Sequence, residues 1–254
     1  MQALEMVGLA AAAVAAGAIN AVVGSGTLIT FPTLLALGYP PVLANVSNTI
    51  GLVPGVLGAA YGYREELKGQ GARLLRLGAA ALVGGIVGAV LLLRLPSDTF
   101  SAAVPVLILI ACVLVLIQPR LSKWLTERRK EKEREARDDG GVPVWLGVGC
   151  TAVYGGYFGA AQGVLLMALF GTWLRDDLQR LNAAKNVLAA IVNGVAAVLF
   201  IAVTDVAWAA AGVIAAGSVV GGLVGAKVGR RLPPQVLRGM IVVIGVTAAV
   251  AVAV

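Results

Sequence analysis

Two clusters of polar residues interrupt an otherwise apolar sequence, and each surrounds a glycine break. In the first, Asn20 precedes Gly24, Ser25, Gly26 and Thr27, while Asn45 and Asn48 lie on the next apolar run. In the second, Gln162 and Gly163 form the break, and Asn182, Lys185 and Asn186 follow it. A short helix opening after such a break has first amides with no intrahelical partner. Those amides and the positive end of the helix dipole suit an anion. Asn45 and Asn48 are three apart and share a helix face, as do Asn182, Lys185 and Asn186; Asn193 continues the second face. The chemistry on offer is anion binding by backbone amides, carboxamides and an ammonium group.

Each of these residues also has a plain structural role. A lone Asn or Thr in a membrane helix packs more often than it binds, and only clustering beside both breaks raises Asn48 and Asn186 to parity. Lys185 lies within about two turns of a charged loop, so snorkelling to the surface competes with pairing an anion. Pro32 and Pro54 read as helix kinks, Pro54 more clearly. Trp145, Trp173 and Trp208 fall near run ends and read as interfacial anchors. Cys112 and Cys150 read as small buried hydrophobes with no disulfide or CxxC chemistry.

The elements that must position these residues are long and apolar. The 254 residues are 59% hydrophobic and 13% charged, with 33 glycines. That leaves too little charge to cover a globule. Long runs fall at 42–62, 74–95, 99–118, 186–203, 206–229 and 236–254, each long enough to cross ~30 Å of hydrocarbon as a helix. Pairs at 4–23 with 27–38 and 143–161 with 164–174 precede them, and the second member of each pair is too short to span. The N-terminal "MQALEMVGLAAAA" lacks a basic n-region and reads as a first helix. Continuous runs exclude a barrel. The expectation is an all-α polytopic membrane protein in the cell membrane, with the bilayer as partner and no nucleic acid: the net charge of +7 sits in short loops and sets topology.

The chain reads as two copies of one unit. "GGIVGAVLLLRLP" (Gly84 to Pro96) aligns with "GGLVGAKVGRRLP" (Gly221 to Pro233), and an offset of 138 brings Gly17 onto Gly155 and Asn48 onto Asn186. The expected units are 1–118, a charged linker at 119–142, and 143–254. Loop charge puts 63–76, the linker, 175–185 and 230–238 in the cytoplasm, with Asp205 and both termini outside. Equivalent loops then lie on opposite faces, the signature of inverted-topology repeats whose short helices meet near the midplane.

These residues resemble the TauE/SafE sulfite exporter family, also called the toluene sulfonate uptake permeases. "GAINAVVGSGTLITFPTLLALGYPPVLANVSNTIG" is similar to the first-half motif, and "GGYFGAAQGVLL" with "LNAAKN" to the second-half pattern of one branch. The resemblance covers nearly the whole chain apart from the linker. It departs at the Gly-Ser-Gly of the first break, at Gln162 and at Lys185, and a lysine there favours an anion. The resemblance implies a transporter of sulfite, sulfonates, sulfoacetate-like or other small organosulfur acids; composition alone indicates no sulfur.

Three function classes follow. The first is an alternating-access carrier of a small anion, with Asn48, Asn186, Lys185 and the amides after Gly24 and Gln162 as the site. The second is a passive anion channel using the same site. The third is an intramembrane serine hydrolase, for which the absence of histidine leaves only a Ser25–Lys185 dyad. No metal, cofactor or catalytic residue is expected. Import or export, coupling ion and oligomeric state are not encoded legibly.

Overall fold

A computed structural model describes residues 3–131 and 140–228. The run at 236–254, the loop at 230–238 and part of the linker lie outside the described residues. Among those described the chain is all helical: α1 (Ala3–Val22), α2 (Thr27–Ala36), α3 (Pro41–Gly62), α4 (Gly71–Arg94), α5 (Ser97–Glu131), α6 (Gly141–Tyr157), α7 (Gln162–Trp173), α8 (Leu178–Val203) and α9 (Trp208–Val228). Among them, six are long and apolar enough to cross a bilayer. The short helices α2 and α7 have 10 and 12 residues, about 15 and 18 Å at ~1.5 Å per residue.

Three boundaries differ from the sequence expectation. Helix α5 continues past 118 to Glu131, so the first part of the charged segment is helical. Helix α8 starts at Leu178, where the Asp177 carboxylate accepts from the Gln179 amide at 2.8 Å. That cap sits in polar sequence which hydropathy does not register. The second break falls at Phe158–Ala161, ahead of Gln162, because Gly159 and Ala161 adopt φ of 80° and 60°. Left-handed backbone at an alanine costs about 1 kcal/mol, and nothing in "FGAA" announces it.

Outward faces carry exposed apolar side chains such as Val87, Leu91, Ile110, Val113, Ile201 and Val224, as lipid contact requires. Trp145, Trp173 and Trp208 are all exposed, at or near helix ends. Cys112 is buried, but Cys150 is exposed, a correction: its side of α6 faces away from the bundle.

Helix α1 packs along α9, and α6 packs along α4. The first helix of each sequence copy therefore lies against the fourth helix of the other. Glycine makes both contacts close, since hydrocarbon gives helices no hydrophobic reason to associate. A Cβ on Gly88 of α4 would collide with the Val153 carbonyl and lie 2.8 Å from the Tyr157 amide of α6. Gly221 of α9 sits in the same way against Val14 and Ala18 of α1.

The first turns of α4 and α8 are tied by polar groups. Asp176 takes Arg73 Nη1 at 2.6 Å and Arg180 Nε at 2.7 Å. Burial pushes the Asp176 carboxyl up, but hydrogen bonds from Arg73, the Asp177 amide and Arg180 outweigh it and hold the group below its ordinary value.

Two outcomes are expected. Gly88→Ala lowers stability by about 1–3 kcal/mol through overpacking, whereas Gly149→Ala, whose Cβ would meet nothing within 4 Å, is neutral or stabilising. Thermal unfolding in detergent compares the pair. A carboxyl with a depressed folded pKa contributes stability above its unfolded pKa of about 3.9 and loses it as pH falls through the folded value. The gap in thermal midpoint between parent and Asp176→Asn is therefore constant near neutrality and closes below about pH 4.

Candidate functional site

Helix α1 ends when the Val23 and Gly24 amides both turn back to the Ile19 carbonyl, at 2.7 and 3.2 Å, and Gly24 takes φ 81°. The carbonyls of Asn20 and Ala21 are left at the negative end of the helix. Helix α8 satisfies them. Lys185 Nζ donates to Asn20 O at 3.2 Å and to Ala21 O at 3.4 Å. Asn182 and Asn186 each donate Nδ2 to Ala21 O, at 3.2 and 3.3 Å. A cation with two amides at a helix C-terminus matches the dipole.

The second break is held by the same logic with different residues. Asn45 of α3 donates to the Tyr157 carbonyl at 3.1 Å, and the Tyr154 hydroxyl donates to Ala160 O at 2.6 Å. Phe158 stacks edge-on against Phe31 and Phe100, with centroids 5.3 and 6.2 Å away. Asn48 stays within its own copy, where its side chain bonds both Thr30 and Thr27 of α2.

The two breaks touch. The Gly163 amide donates to Gly24 O at 3.2 Å, and a Cβ on Gly163 would lie 2.5 Å from the Gly24 Cα and 3.1 Å from Lys185 Cδ. Only glycine lets the backbones approach so closely. Asn20 Oδ1 meets the Gly26 amide at 3.5 Å, and neither α2 nor α7 has a side-chain cap.

A small cavity lies at this junction. Of the residues expected to bind, Asn20, Gly24, Thr27, Gln162, Gly163, Lys185 and Asn186 line it. Ser25, Gly26, Asn45, Asn48 and Asn182 do not; they are buried in and around the breaks. Sequence inspection passed over Val56, Gly159 and Ala189, which complete the wall beside Asn193. Small or apolar residues give no signal as wall until the helices are placed.

The enclosed space is about 10 Å³, room for about one water molecule. Lys185 is fully buried, which excludes snorkelling, and no carboxylate lines the cavity or pairs with it among the described residues. An ammonium so placed carries a desolvation penalty of several kcal/mol that two carbonyls only partly offset. Gln162 Nε2 is buried without a partner, as is Ser25 Oγ. Ser25 thus makes no bond to Lys185, and no serine–lysine dyad is formed.

A helical bundle with an apolar outer surface and a lysine-lined polar cavity between two broken helices is a multi-pass membrane protein with a central polar site. The sequence model of the sulfite exporter TauE/SafE family matches residues 9–252, and the chain belongs to that family of membrane transporters. It is 28% identical over 233 residues to "Probable membrane transporter protein YfcA" of Escherichia coli strain K12, covering 91% of this chain and 83% of that one. A "Probable membrane transporter protein" of Haemophilus influenzae is 27% identical over 225 residues, 89% of this chain and 85% of that one. "Probable membrane transporter protein ORF9" of Sinorhizobium sp is 22% identical over 239 residues, 94% and 88% of the two chains. No solved structure matches. Family and relatives point to transport and not to catalysis.

The Asn45 bond to Tyr157 O predicts that Asn45→Ala costs about 1–3 kcal/mol, because a buried carbonyl loses its donor. The thermal midpoint of the purified protein falls by several degrees, and an unchanged midpoint would refute the capping role.

Proposed function

We propose that this transporter carries a small organosulfur anion, of the sulfite, sulfonate or sulfoacetate kind, by alternating access. One observation carries the proposal: the Lys185 ammonium and the unpartnered Gln162 amide meet in a cavity with no acidic side chain. A cation and a free donor, dehydrated together, need a negative ligand rich in acceptor oxygens. The sulfur chemistry comes from the family name and not from the cavity.

Size and connectivity support alternating access. The cavity is too small for any such anion, so the ligand must widen it. The two breaks belong to different copies and are bonded to each other, so widening moves one copy against the other. If the copies are inverted, as loop charge indicates, this motion opens the site to one face at a time. The linker then lies in the cytoplasm and residue 205 outside.

The test is thermal shift of the purified protein with sulfite, sulfoacetate, taurine, sulfate and chloride, followed by counterflow in proteoliposomes. A ligand at 100 times its Kd stabilises by about 2.7 kcal/mol, which moves the midpoint by roughly 5 °C or more. Lys185→Met abolishes that shift; the unliganded variant loses both a buried charge and the donor to Asn20 O, so each shift is read against the variant's own unliganded midpoint. Equal shifts in parent and Lys185→Met would remove Lys185 from the site. Unitary conductance in place of saturable counterflow would make the protein a channel.

A further inference from the structure

The face that loop charge assigns to the cytoplasm is covered by Tyr63–Gln70, the segment of turns between α3 and α4. Its inner side is apolar. Tyr63 is 1% exposed and packs with Leu67 against Ala183 of α8, next to Asn182 and two residues from Lys185. Its outer side is polar and bonded to the second copy. Gln70, 2% exposed, donates to Arg180 O at 3.0 Å, and Arg180 Nη1 donates to Lys68 O at 3.1 Å. Just beyond it, Arg73 reaches Asp176 Oδ2 while Arg180 takes Oδ1. Gly69, with φ 79°, breaks the backbone just before α4 begins at Gly71.

The opposite side of the cavity is closed differently. Phe31, Phe100 and Phe158 pack edge to face beside Gly159, which lines the cavity. Parting the aromatic cluster exposes apolar area to water, whereas the polar contact, with Arg73 13% and Asp176 14% exposed, exchanges its partners for water as it opens. The polar side therefore parts first.

We propose that Tyr63–Gln70 is a gate strap over the cavity and that Asp176 is the latch that holds it shut through Arg73 and Arg180. The proposal rests on the carrier reading for its purpose, but its geometry does not depend on which anion is carried. Arg180 is five residues before Lys185 on α8. Lifting the strap therefore uncovers Ala183, on the turn of α8 that also carries Asn182 and Lys185. Asp176 and the strap belong to different copies, so the latch closes across the boundary along which the copies would move.

The experiment places a cysteine at Ala189, a cavity-lining position, in protein whose Cys112 and Cys150 are replaced by Ala. A membrane-impermeant thiol reagent is applied to each face of sealed vesicles in turn. Asp176→Asn raises the labelling rate several-fold from the strap's face and leaves the other face unchanged, and Arg73→Gln does the same. In a second arm, a short bifunctional thiol reagent joining Arg73→Cys to Asp176→Cys in the same cysteine-free background suppresses flux, and cleaving the linker restores it. The proposal is overturned if Asp176→Asn and Arg73→Gln, each still folded at the labelling temperature by its own cooperative thermal transition, label at the parent rate. Increased labelling from the opposite face, or full flux in the cross-linked protein, overturns it equally. Labelling needs no substrate, so strap-dependent labelling without anion flux would sink the carrier and keep the gate. Flux without strap dependence would do the reverse.

Discussion

A helix that stops inside hydrocarbon leaves carbonyls and amides that water cannot reach, each costing several kcal/mol if nothing pairs with it. Most of the polar chemistry of this molecule is arranged around that cost. At the end of α1, three side chains of α8 converge on the carbonyls of Asn20 and Ala21. At the end of α6, a side chain of α3 reaches the carbonyl of Tyr157. In both cases the donor belongs to the other sequence copy. Each break draws part of its bonding from the other copy, and the first helix of each packs on the fourth helix of the other. The halves are thus locked by hydrogen bonding near the cavity and by glycine packing along the bundle.

Much of the fold could be read before any coordinates, because hydrocarbon imposes its length on apolar runs and the runs are uninterrupted. The two short helices were also legible, since a glycine break followed by about a dozen apolar residues cannot span. What could not be read was the partner of each polar residue. Asn45, Asn48, Asn182 and Asn186 look alike in sequence, yet Asn45 and Asn182 cap helix ends in the other copy, Asn48 braces α2, and Asn186 both caps and lines the cavity. Those bonds join residues as many as 165 positions apart, and no local pattern encodes them. The second break shifted for a related reason. Its left-handed alanine is held by tertiary contacts around Phe158 and Tyr154, which override the apparent continuation of the helix.

The duplicated frame carries unequal chemistry. At an offset of 138, Lys185 corresponds to Ser47 and Asn20 to Phe158. Ser47 accepts the Ala207 amide at the start of α9 at 2.9 Å, a capping task that needs no charge. Phe158 sits in an aromatic cluster where Asn20 faces the cavity. One side of the junction is therefore lined by polar side chains, the other by aromatic rings. The two breaks recur at nearly the same offset in sequence, but the residues around them differ in kind.

That asymmetry bears on how binding would be coupled to movement in the proposed carrier. A ligand can shift a conformational equilibrium only by the difference in its affinity for the two states. In the closed state the Lys185 protons are engaged by the carbonyls of Asn20 and Ala21, and the space beside them holds about one water. An anion must draw the ammonium toward itself, which loosens the cap on α1, and must also part Gly24 from Gly163 to gain room. Both changes act on bonds between the copies. Asn182 and Asn186 continue to donate to Ala21 O, so the break does not fall apart when the lysine leaves it. The carboxamides hold the frame, and the lysine exchanges a backbone partner for a ligand. In the proposed carrier the Asn20 carbonyl is the one that gives up its donor, while Ala21 O keeps two.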